Sequence, residues 1–523
     1  MATNLAGPLV PSRPWRAARL GRPGLARPLA GAALVASVGT LVLLAVLWPD
    51  RFNMIDLQVY RAGGAAVLHG QPLYSAHPAG SQLPFTYPPF AALLFAPFAA
   101  VAWPVAQIAV ALAWLACLGA VLVMCLEQVG YRPPGRVAGP AGVRAGTVGR
   151  GGLAAGWARR VGPGRPVGAV GRSGWADWMR SPVLLVAVAA AAWLEPVRGT
   201  LGFGQVNLLL VALVLADFTG RCPRLPRGVL IGVAAGLKLT PGIFAVYLLV
   251  TGRRRAAATA FGAFLGTAAV GRLVLPEASA KYWAKLWLNP EHVGGVAYAG
   301  NQSLYGTASR LLQGVHQGGL WLPAALLVGC SGLYAAAAAY RAGQELTGVS
   351  VCALTGLLLS PISWSHHWVW VLPGTVVAVA AALRRPTGAR LARLAGWLAV
   401  FALGPIWWVP HGGDIEYREH GVQLLLGNAY LLAGLAALAL AAARAGQRRR
   451  DTVPAGAVPA GAVPAGAAQA AGVPSAGVVG AIPAAGVLSA GVLSAGVVGG
   501  VPAAGVAGGG PAGGVDQGSG RRP

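Results

Sequence analysis

Acidic residues and lysine are scarce in this chain. Among 523 residues there are 14 aspartates and glutamates against 40 lysines and arginines, which gives a formal net charge of +26. The lysines are Lys238, Lys281 and Lys285 alone, so arginine carries nearly all of the positive charge. The basic residues stand in short clusters between apolar blocks instead of forming one basic domain, which is typical of membrane-topology signals. We therefore expect no nucleic-acid partner.

Patterns that would bind a metal or form disulfides are also missing. The cysteines show no paired spacing, so we expect no disulfide and no cysteine metal site. They are Cys117, Cys125, Cys222, Cys330 and Cys352. The adjacent His366 and His367 would point about 100° apart on a helix, which makes a poor chelate for one ion. No carboxylate cluster demands a divalent metal, and the sequence predicts no other cofactor.

Long apolar blocks, in contrast, are abundant. The composition is 56% hydrophobic and 10% charged, and blocks of about 20 residues can cross a bilayer core of roughly 30 Å. The sequence predicts an all-α, polytopic integral protein of the cytoplasmic membrane, with about 10–12 transmembrane or half-membrane helices. The predicted membrane domain covers residues 29–443, and the lipid bilayer is its first expected partner.

Three segments differ in composition from this membrane domain. Residues 1–28 form a basic N-terminus that we expect in the cytoplasm, before a retained first helix. Residues 131–180 are rich in arginine and glycine without apolar periodicity, which indicates a cytoplasmic insertion with little fixed structure. Residues 444–523 repeat alanine, glycine, proline and valine, and we expect a disordered cytoplasmic tail because proline or glycine interrupts every few positions.

The segment 228–250 poses a topological conflict. As a single span it would place Arg253, Arg254 and Arg255 outside, against the positive-inside rule. A helix broken at Gly236-Leu-Lys-Leu-Thr-Pro241, which dips into the membrane and returns, removes the conflict, since non-helical backbone is tolerated where it lines a cavity. The remaining predicted spans place the other arginine clusters inside and most acids outside.

Asp56 follows the first predicted span directly, at the level of the lipid headgroups. A carboxylate there could act as a general base, and the alternative is a solvated loop acid or a helix cap. Aromatic residues around it, including Tyr74 and Tyr87, offer rigid surface for stacking on sugar rings. An interfacial aromatic belt is the alternative for these tyrosines.

Basic side chains near the same face are candidate phosphate ligands. Lys238 lies in an apolar block, and an ionisable group at membrane depth indicates a function unless its side chain snorkels to the headgroups. Arg198 in an outer hairpin turn is a second candidate, with a simple anchor as the alternative. His366 and His367 stand among tryptophans at an outer helix boundary, and we favour hydrogen bonding to phosphate or sugar hydroxyls over an interfacial cluster.

Six motifs occur in a fixed order along the chain. They are Asp56-Leu-x-Val-Tyr60 with Gly70-Gln-Pro-Leu-Tyr74, Phe85-Thr-Tyr-Pro-Pro89, Gly204-Gln-Val-Asn207, Gly236-Leu-Lys-Leu-Thr-Pro241, Asn301-Gln-Ser-Leu304 and Ser360-Pro-Ile-Ser-Trp-Ser-His-His-Trp368. Over residues 30–440 the chain resembles the actinobacterial polyprenol-phosphate-mannose-dependent alpha-1,2-mannosyltransferases, glycosyltransferase family 87. This resemblance implies a C-type glycosyltransferase fold and an active site that faces outward.

The same resemblance implies roles for individual residues. Asp56 matches the proposed catalytic base, and Lys238 with His366 or His367 matches positions in or near the donor site. Further sugar or acceptor contacts are expected within or beside the motifs, at Tyr60, Tyr74, Tyr87, Gln205, Asn207 and Asn301. The implied partners are a polyprenyl-phosphate-sugar donor and a glycolipid or glycan acceptor of the cell envelope.

The expected reaction is an inverting transfer in which Asp56 deprotonates an acceptor hydroxyl. One carboxylate suffices, because a phosphate leaves as a stabilised anion and needs no general acid. Two alternatives stay open: the same fold with arabinofuranose or glucose as the donor sugar, and a transporter or flippase of a lipid-linked sugar. The sequence has no second copy of the Asp56 loop or of the Lys238 motif, which the internal symmetry of many transporters would produce.

Overall fold

Helices are the regular elements of the protein throughout the residues that the computed structural model describes, 23–49, 52–133, 174–314 and 317–452. Within these ranges, Asn301 and Trp364 also form an isolated antiparallel β-bridge. The described residues all lie within one compact unit, Met1–Pro454. The predicted basic N-terminus up to residue 22, the insertion from 134 to 173 and the tail from 453 lie outside the described residues.

The α-helices follow one another with short connections. They are α1 Pro23–Leu47, α2 Ile55–Leu68, α3 Pro89–Ala99, α4 Trp103–Gln128, α5 Trp175–Met179, α6 Pro182–Ala191, α7 Glu195–Phe203, α8 Asn207–Thr219, α9 Val229–Leu237, α10 Ile243–Val250, α11 Arg254–Val274, α12 Pro276–Ala284, α13 Leu304–Leu311, α14 Gln317–Arg341, α15 Glu345–Leu359, α16 Val371–Arg384, α17 Gly388–Leu403, α18 Val422–Gly427 and α19 Ala429–Thr452. Short 3₁₀ helices lie between them, at Leu73–Ser75, Thr240–Gly242, Leu286–Leu288, Pro290–His292, Ser365–Trp370, Pro405–Trp407 and Ile415–Arg418.

Six helices of the described ranges are long and apolar enough to cross a bilayer. They are Leu25–Leu47, Trp103–Gln128, Arg254–Val274, Trp321–Arg341, Ser365–Arg384 and Ala429–Arg450. Four shorter apolar helices accompany them, Pro89–Ala99, Asn207–Thr219, Thr240–Val250 and Glu345–Leu359. The prediction of an all-α, polytopic membrane protein is confirmed.

Two consecutive apolar helices meet at a sharp bend. Helices α6 and α7 are inclined at 77° to one another. Pro196 stands in the first turn of α7, where its missing N–H costs nothing because no helical partner exists there. The bend directs α7 towards the 3₁₀ helix at residues 365–370, against which it packs.

The predicted break near Lys238 is confirmed. Helix α9 ends at Leu237, and Lys238 has an extended backbone with φ −153° and ψ 129°. Pro241 follows in a 3₁₀ turn before α10 begins. The start of α9 is capped by Asp217, whose carboxylate accepts from the backbone N–H of Gly228 at 2.8 Å and of Leu230 at 3.0 Å.

A row of glycines at intervals of four holds α9 against α11. An added Cβ would overlap the carbonyl oxygen of Ala256 at Gly228, that of Ala260 at Gly232, and the side chain of Thr267 at Gly236. Small residues at this spacing let two membrane helices approach closely enough for dense van der Waals packing. The position of the helix break at Lys238 therefore depends on these glycines.

Two predicted domain boundaries shift. Helix α19 continues to Thr452, past the predicted end of the membrane domain at 443. At the other boundary, α5 lies inside the predicted insertion 131–180, and its Trp178 is buried against Tyr131 with ring centroids 5.8 Å apart. Apolar burial of this tryptophan fixes a segment that its composition predicted to be unstructured.

Replacing Gly232 by alanine should destabilise the protein, because the new methyl group must push α9 away from α11. The expected cost is about 1–3 kcal/mol. Gly262→Ala on α11 is the matched control, since no atom lies within 4 Å of the position of its Cβ, and it should be neutral or stabilising. Thermal unfolding of the two variants in nanodiscs checks this, and equal unfolding temperatures would contradict the packing argument.

Candidate functional site

A cavity of about 1030 Å³ opens among the ends of several helices. Its lining brings together residues that are far apart in the sequence, which is what a ligand site in a helical membrane protein requires. Among the predicted site residues, it includes Asp56, Tyr87, Gln205, Lys238, His366 and His367. Six of the eleven sequence candidates therefore face one space.

Asp56 is the carboxylate of this cavity. It lies in the first turn of α2 and is half-buried, and its side chain forms part of the cavity wall. Burial raises the pKa of Asp56 to about 6, while the charge of Lys238 and a hydrogen bond from Gln205 act in the opposite direction. The group is thus a carboxylate at neutral pH that can take up a proton, which is the property of a general base.

Gln205 has its amide orientation fixed by its neighbours. Its Oε1 accepts from the backbone N–H of Val206 at 3.1 Å, from the hydroxyl of Tyr87 at 2.9 Å and from the hydroxyl of Tyr60. Because a backbone N–H can only donate, the atom that faces Val206 must be the oxygen. The NH₂ group is then free to donate to the Asp56 carboxylate.

Lys238 is held at the helix break by two neutral groups. Its Nζ donates to Oδ1 of Asn207 at 3.1 Å and lies 2.9 Å from Nε2 of His367. An ammonium group has only donors, so Nε2 of His367 accepts and its ring proton is on Nδ1. Asn207 also donates from Nδ2 to the backbone carbonyl of His366 at 2.9 Å, which ties the lysine to the histidine segment.

His366 lines the cavity and carries a buried ring nitrogen without a partner in the described residues. Its backbone carbonyl is held by Asn207 and by the hydroxyl of Thr200 at 3.0 Å, and its ring packs edge-on against Phe203 at 5.2 Å. The residue is 8% exposed, and in the described part of the chain its Nε2 has no hydrogen-bond partner. A buried polar atom without a partner is costly, so this nitrogen would gain from a hydrogen bond.

Two predicted aromatic contacts lie behind the cavity wall. The hydroxyl of Tyr60 is 3.0 Å from that of Tyr87, and Tyr60 is fully buried. Tyr74 donates to the backbone carbonyl of Tyr87 at 2.9 Å and stacks on Tyr282 at 5.8 Å. Neither Tyr60 nor Tyr74 belongs to the cavity lining, so the structure gives them a supporting position behind Tyr87 instead of a sugar contact.

Asn301 and Arg198 also lie away from the cavity lining. Asn301 is fully buried, and its amide donates to the carbonyls of Val296 at 2.8 Å and Pro361 at 3.1 Å. Its polar atoms are thus used in joining two loops. Arg198 donates from Nη1 to the carbonyl of Trp193 at 3.2 Å, which makes it a local anchor of the bend between α6 and α7.

Glu195 is a site residue that the sequence did not indicate. It is buried, and its carboxylate accepts from Ser365 at 3.0 Å, Trp407 at 2.9 Å and Tyr430 at 2.7 Å. Ser365 and Trp407 both line the cavity. Because these partners are 170 to 235 residues away in the chain, no local pattern could reveal the role of Glu195.

The described ranges 23–49, 52–133, 174–314 and 317–452 lack the side-chain grouping of a metal site. Within these ranges no group of three or more histidine, cysteine, aspartate or glutamate side chains is placed to hold a metal ion. The polar groups of the cavity are instead a carboxylate, an ammonium group, imidazoles and amides. Such a set can abstract a proton and can bind an anionic ligand.

Comparison with known proteins agrees with this arrangement. The model of glycosyltransferase family 87 matches residues 85–361. A polyprenol-phosphate-mannose-dependent alpha-(1-2)-phosphatidylinositol mannoside mannosyltransferase of Mycobacterium tuberculosis is 32% identical over 397 residues, which cover 74% of this chain and 84% of that protein. The protein of the same description from Mycolicibacterium smegmatis is 34% identical over 423 residues, or 75% of this chain and 85% of that protein.

A further relative differs in the acceptor that its name states. A polyprenol-phosphate-mannose-dependent alpha-(1-2)-phosphatidylinositol pentamannoside mannosyltransferase of Mycobacterium tuberculosis is 35% identical over 382 residues, or 72% of this chain and 77% of that protein. No solved structure matches the chain. The resemblance seen in the six motifs is confirmed: the chain belongs to glycosyltransferase family 87 and is a membrane glycosyltransferase.

Proposed function

We propose that the protein transfers mannose from a polyprenyl-phosphate-mannose donor to a hydroxyl group of a phosphatidylinositol mannoside glycolipid, with inversion at the anomeric carbon. The donor and the acceptor class are those that the names of the relatives state. The observation that carries the proposal is that a free carboxylate, Asp56, and a cationic group, Lys238, line the same cavity.

The basic end of the cavity suits the phosphate of the donor. Lys238 offers an amino group that Asn207 and His367 orient, and a phosphate bound beside it would favour its protonated, positively charged form. His366 offers a buried nitrogen that has no partner in the described residues. Together they can bind the phosphate in the donor and stabilise the polyprenyl phosphate that departs, which is where negative charge develops.

The reaction then needs one base and no acid. Asp56 takes the proton of the acceptor hydroxyl. At the same time the oxygen of that hydroxyl forms a bond to the anomeric carbon. The bond between that carbon and the phosphate oxygen breaks on the opposite side, and the electron pair leaves with the phosphate. Because burial raises the pKa of Asp56 only to about 6, the proton is released to solvent at neutral pH and the base is regenerated.

The orientation of the membrane helices supports an active site on the outer face of the cytoplasmic membrane. Two spans begin at the cavity, with Trp321 and Ser365 in its lining, and end at Arg341 and Arg384. Arginine-rich ends of membrane helices face the cytoplasm. The cavity lies at the other ends of these helices, and a lipid-linked donor rather than a nucleotide sugar fits that side.

The first test is transfer of radiolabelled mannose from polyprenyl-phosphate-mannose to phosphatidylinositol mannosides by the purified full-length protein in nanodiscs. Asp56→Asn should lower kcat by about 10²–10⁴-fold, since general-base catalysis contributes that much. Asp414→Asn is the matched control, because Asp414 is exposed and its left-handed φ of 66° suits asparagine.

Normal transfer by Asp56→Asn would refute the role of the base. Transfer of arabinofuranose or glucose in place of mannose, from donors assayed in parallel, would refute the donor assignment while keeping the family. If no lipid-linked sugar is transferred and the protein instead moves the donor between leaflets of a vesicle, the proposal of a transferase reaction is wrong.

The pH dependence of the reaction tests the environment of Asp56. The base acts in its deprotonated form, so kcat/KM should fall as the pH decreases through about 6 and should be about tenfold lower at pH 5 than at its plateau. Gln205→Met removes a donor to the carboxylate, so protonation becomes easier and the acidic limb should move to higher pH by about one unit.

Gln58→Met is the control for this shift. Gln58 lies on α2, the helix that carries Asp56, but its side chain donates to the backbone carbonyl of Asn53. It should leave the acidic limb where it is in the unmodified protein. An unchanged limb in Gln205→Met, combined with a higher KM, would show that Gln205 binds substrate and does not tune the base.

A further inference from the structure

Three aromatic side chains line one part of the cavity, with the central ring inclined at 67° and 52° to the other two. They are Tyr298, Trp364 and Trp407, which we call the aromatic platform. The ring centroid of Tyr298 lies 6.1 Å from that of Trp364 and 6.1 Å from that of Trp407. All three line the cavity that also holds Asp56 and Lys238, although Trp364 and Trp407 lie beyond the region that the family model matches, 85–361.

The platform is fixed in place by specific contacts. The indole N–H of Trp407 donates to Glu195 at 2.9 Å, which prevents the ring from rotating freely. A Cβ at Gly300 would lie 2.9 Å from Tyr298 and 3.2 Å from Trp407, and a Cβ at Gly294 would lie 2.9 Å from Trp364. Only glycine leaves room for the rings at these two points, so one side of the platform packs on backbone.

The surroundings of the platform combine apolar ring faces with hydroxyl groups. Tyr298 is 37% exposed, and Tyr305 and Ser360 line the same cavity. A pyranose ring has an apolar C–H face that can stack on an aromatic ring and hydroxyls that need polar partners at its edge. A lipid chain would gain nothing from the hydroxyls.

Another part of the lining suits the lipid chain of a substrate better than the platform does. Leu286, Trp287 and Leu288 border the cavity, and Trp287 and Leu288 are exposed. In a membrane protein such an exposed apolar edge faces lipid. The cavity therefore has separate regions for a charged phosphate, for apolar chains and, at the platform, for a sugar.

We propose that Tyr298, Trp364 and Trp407 form a subsite that binds the sugar headgroup of the acceptor by stacking. This inference rests on the proposed transfer reaction, in which an acceptor hydroxyl must reach Asp56 within the same cavity. Stacking of the headgroup on fixed rings restricts its orientation, so that one hydroxyl is presented to the base. The platform is a binding surface and takes no part in proton transfer.

Octyl α-mannopyranoside serves as the test acceptor, with polyprenyl-phosphate-mannose as donor and the full-length protein in nanodiscs, since sugar-based detergents would compete. Tyr298→Leu should raise the KM for octyl mannoside by about tenfold and leave the KM for the donor unchanged. Tyr334→Leu is the matched control, because Tyr334 is 39% exposed and lies outside the cavity lining.

A second pair of variants tests the same prediction independently, in case Tyr298→Leu does not fold. Trp407→Leu should likewise raise the acceptor KM, whereas Trp408→Leu, at an adjacent residue that is 60% exposed and outside the lining, should not. An unchanged acceptor KM in both platform variants would overturn the proposal. A raised donor KM with a normal acceptor KM would assign the platform to the donor and also overturn it.

A binding measurement without turnover tests the subsite independently of the proposed transfer reaction. Saturation-transfer NMR should detect octyl mannoside on the unmodified protein and a weaker signal on Tyr298→Leu. If the unmodified protein transfers no sugar, the proposed function fails, and the binding experiment still decides whether the platform holds a mannoside. Equal signals from the protein and both platform variants would refute the subsite.

Discussion

The positive charge of Lys238 is the constraint on which the rest of the site depends. A cation within a membrane domain is costly unless other groups compensate it. Asn207 and His367 bond the amino group of Lys238, and the charge of Asp56 favours its protonated form against the cost of burial. In the described residues no ion pair joins Lys238 to Asp56, so the amino group can also contact an anionic ligand, whose charge would favour the protonated form further.

The distance between the two groups also suits the role of base that we propose for Asp56. A carboxylate in direct contact with a lysine would have a low pKa and would accept a proton poorly. Burial acts in the other direction and raises the pKa of Asp56 to about 6, while the charge of Lys238 and, to a smaller extent, the hydrogen bond from Gln205 lower it. Tyr60, Tyr87 and Val206 hold Gln205 in that orientation, so a buried network of uncharged groups contributes to the pKa of Asp56.

The sequence predicted those features that have a local or one-dimensional signal. Apolar block length predicted the long helices, and the arginines at 253–255 predicted the break at Lys238, because a topology rule applies along the chain. The bend between α6 and α7 and the roles of Glu195 and Trp407 could not be predicted, since their partners lie far away in sequence. Asn301 shows that a local motif can also mislead. The motif predicted a ligand contact, but in the structure the amide of Asn301 joins two loops.

Glu195 connects the two ends of the proposed reaction. Its carboxylate bonds Ser365, the residue before His366, and on the same oxygen the indole of Trp407. One buried group thus fixes both the segment whose imidazole we propose as a phosphate contact and a ring of the aromatic platform. Since in-line displacement requires the acceptor hydroxyl and the departing phosphate to lie on opposite sides of the anomeric carbon, a shared anchor for both contacts preserves that alignment when the cavity fills. A carboxylate suits this role because both of its oxygens accept, Oε1 from Ser365 and Trp407 and Oε2 from Tyr430, whereas the NH₂ group of an amide could not accept from Tyr430.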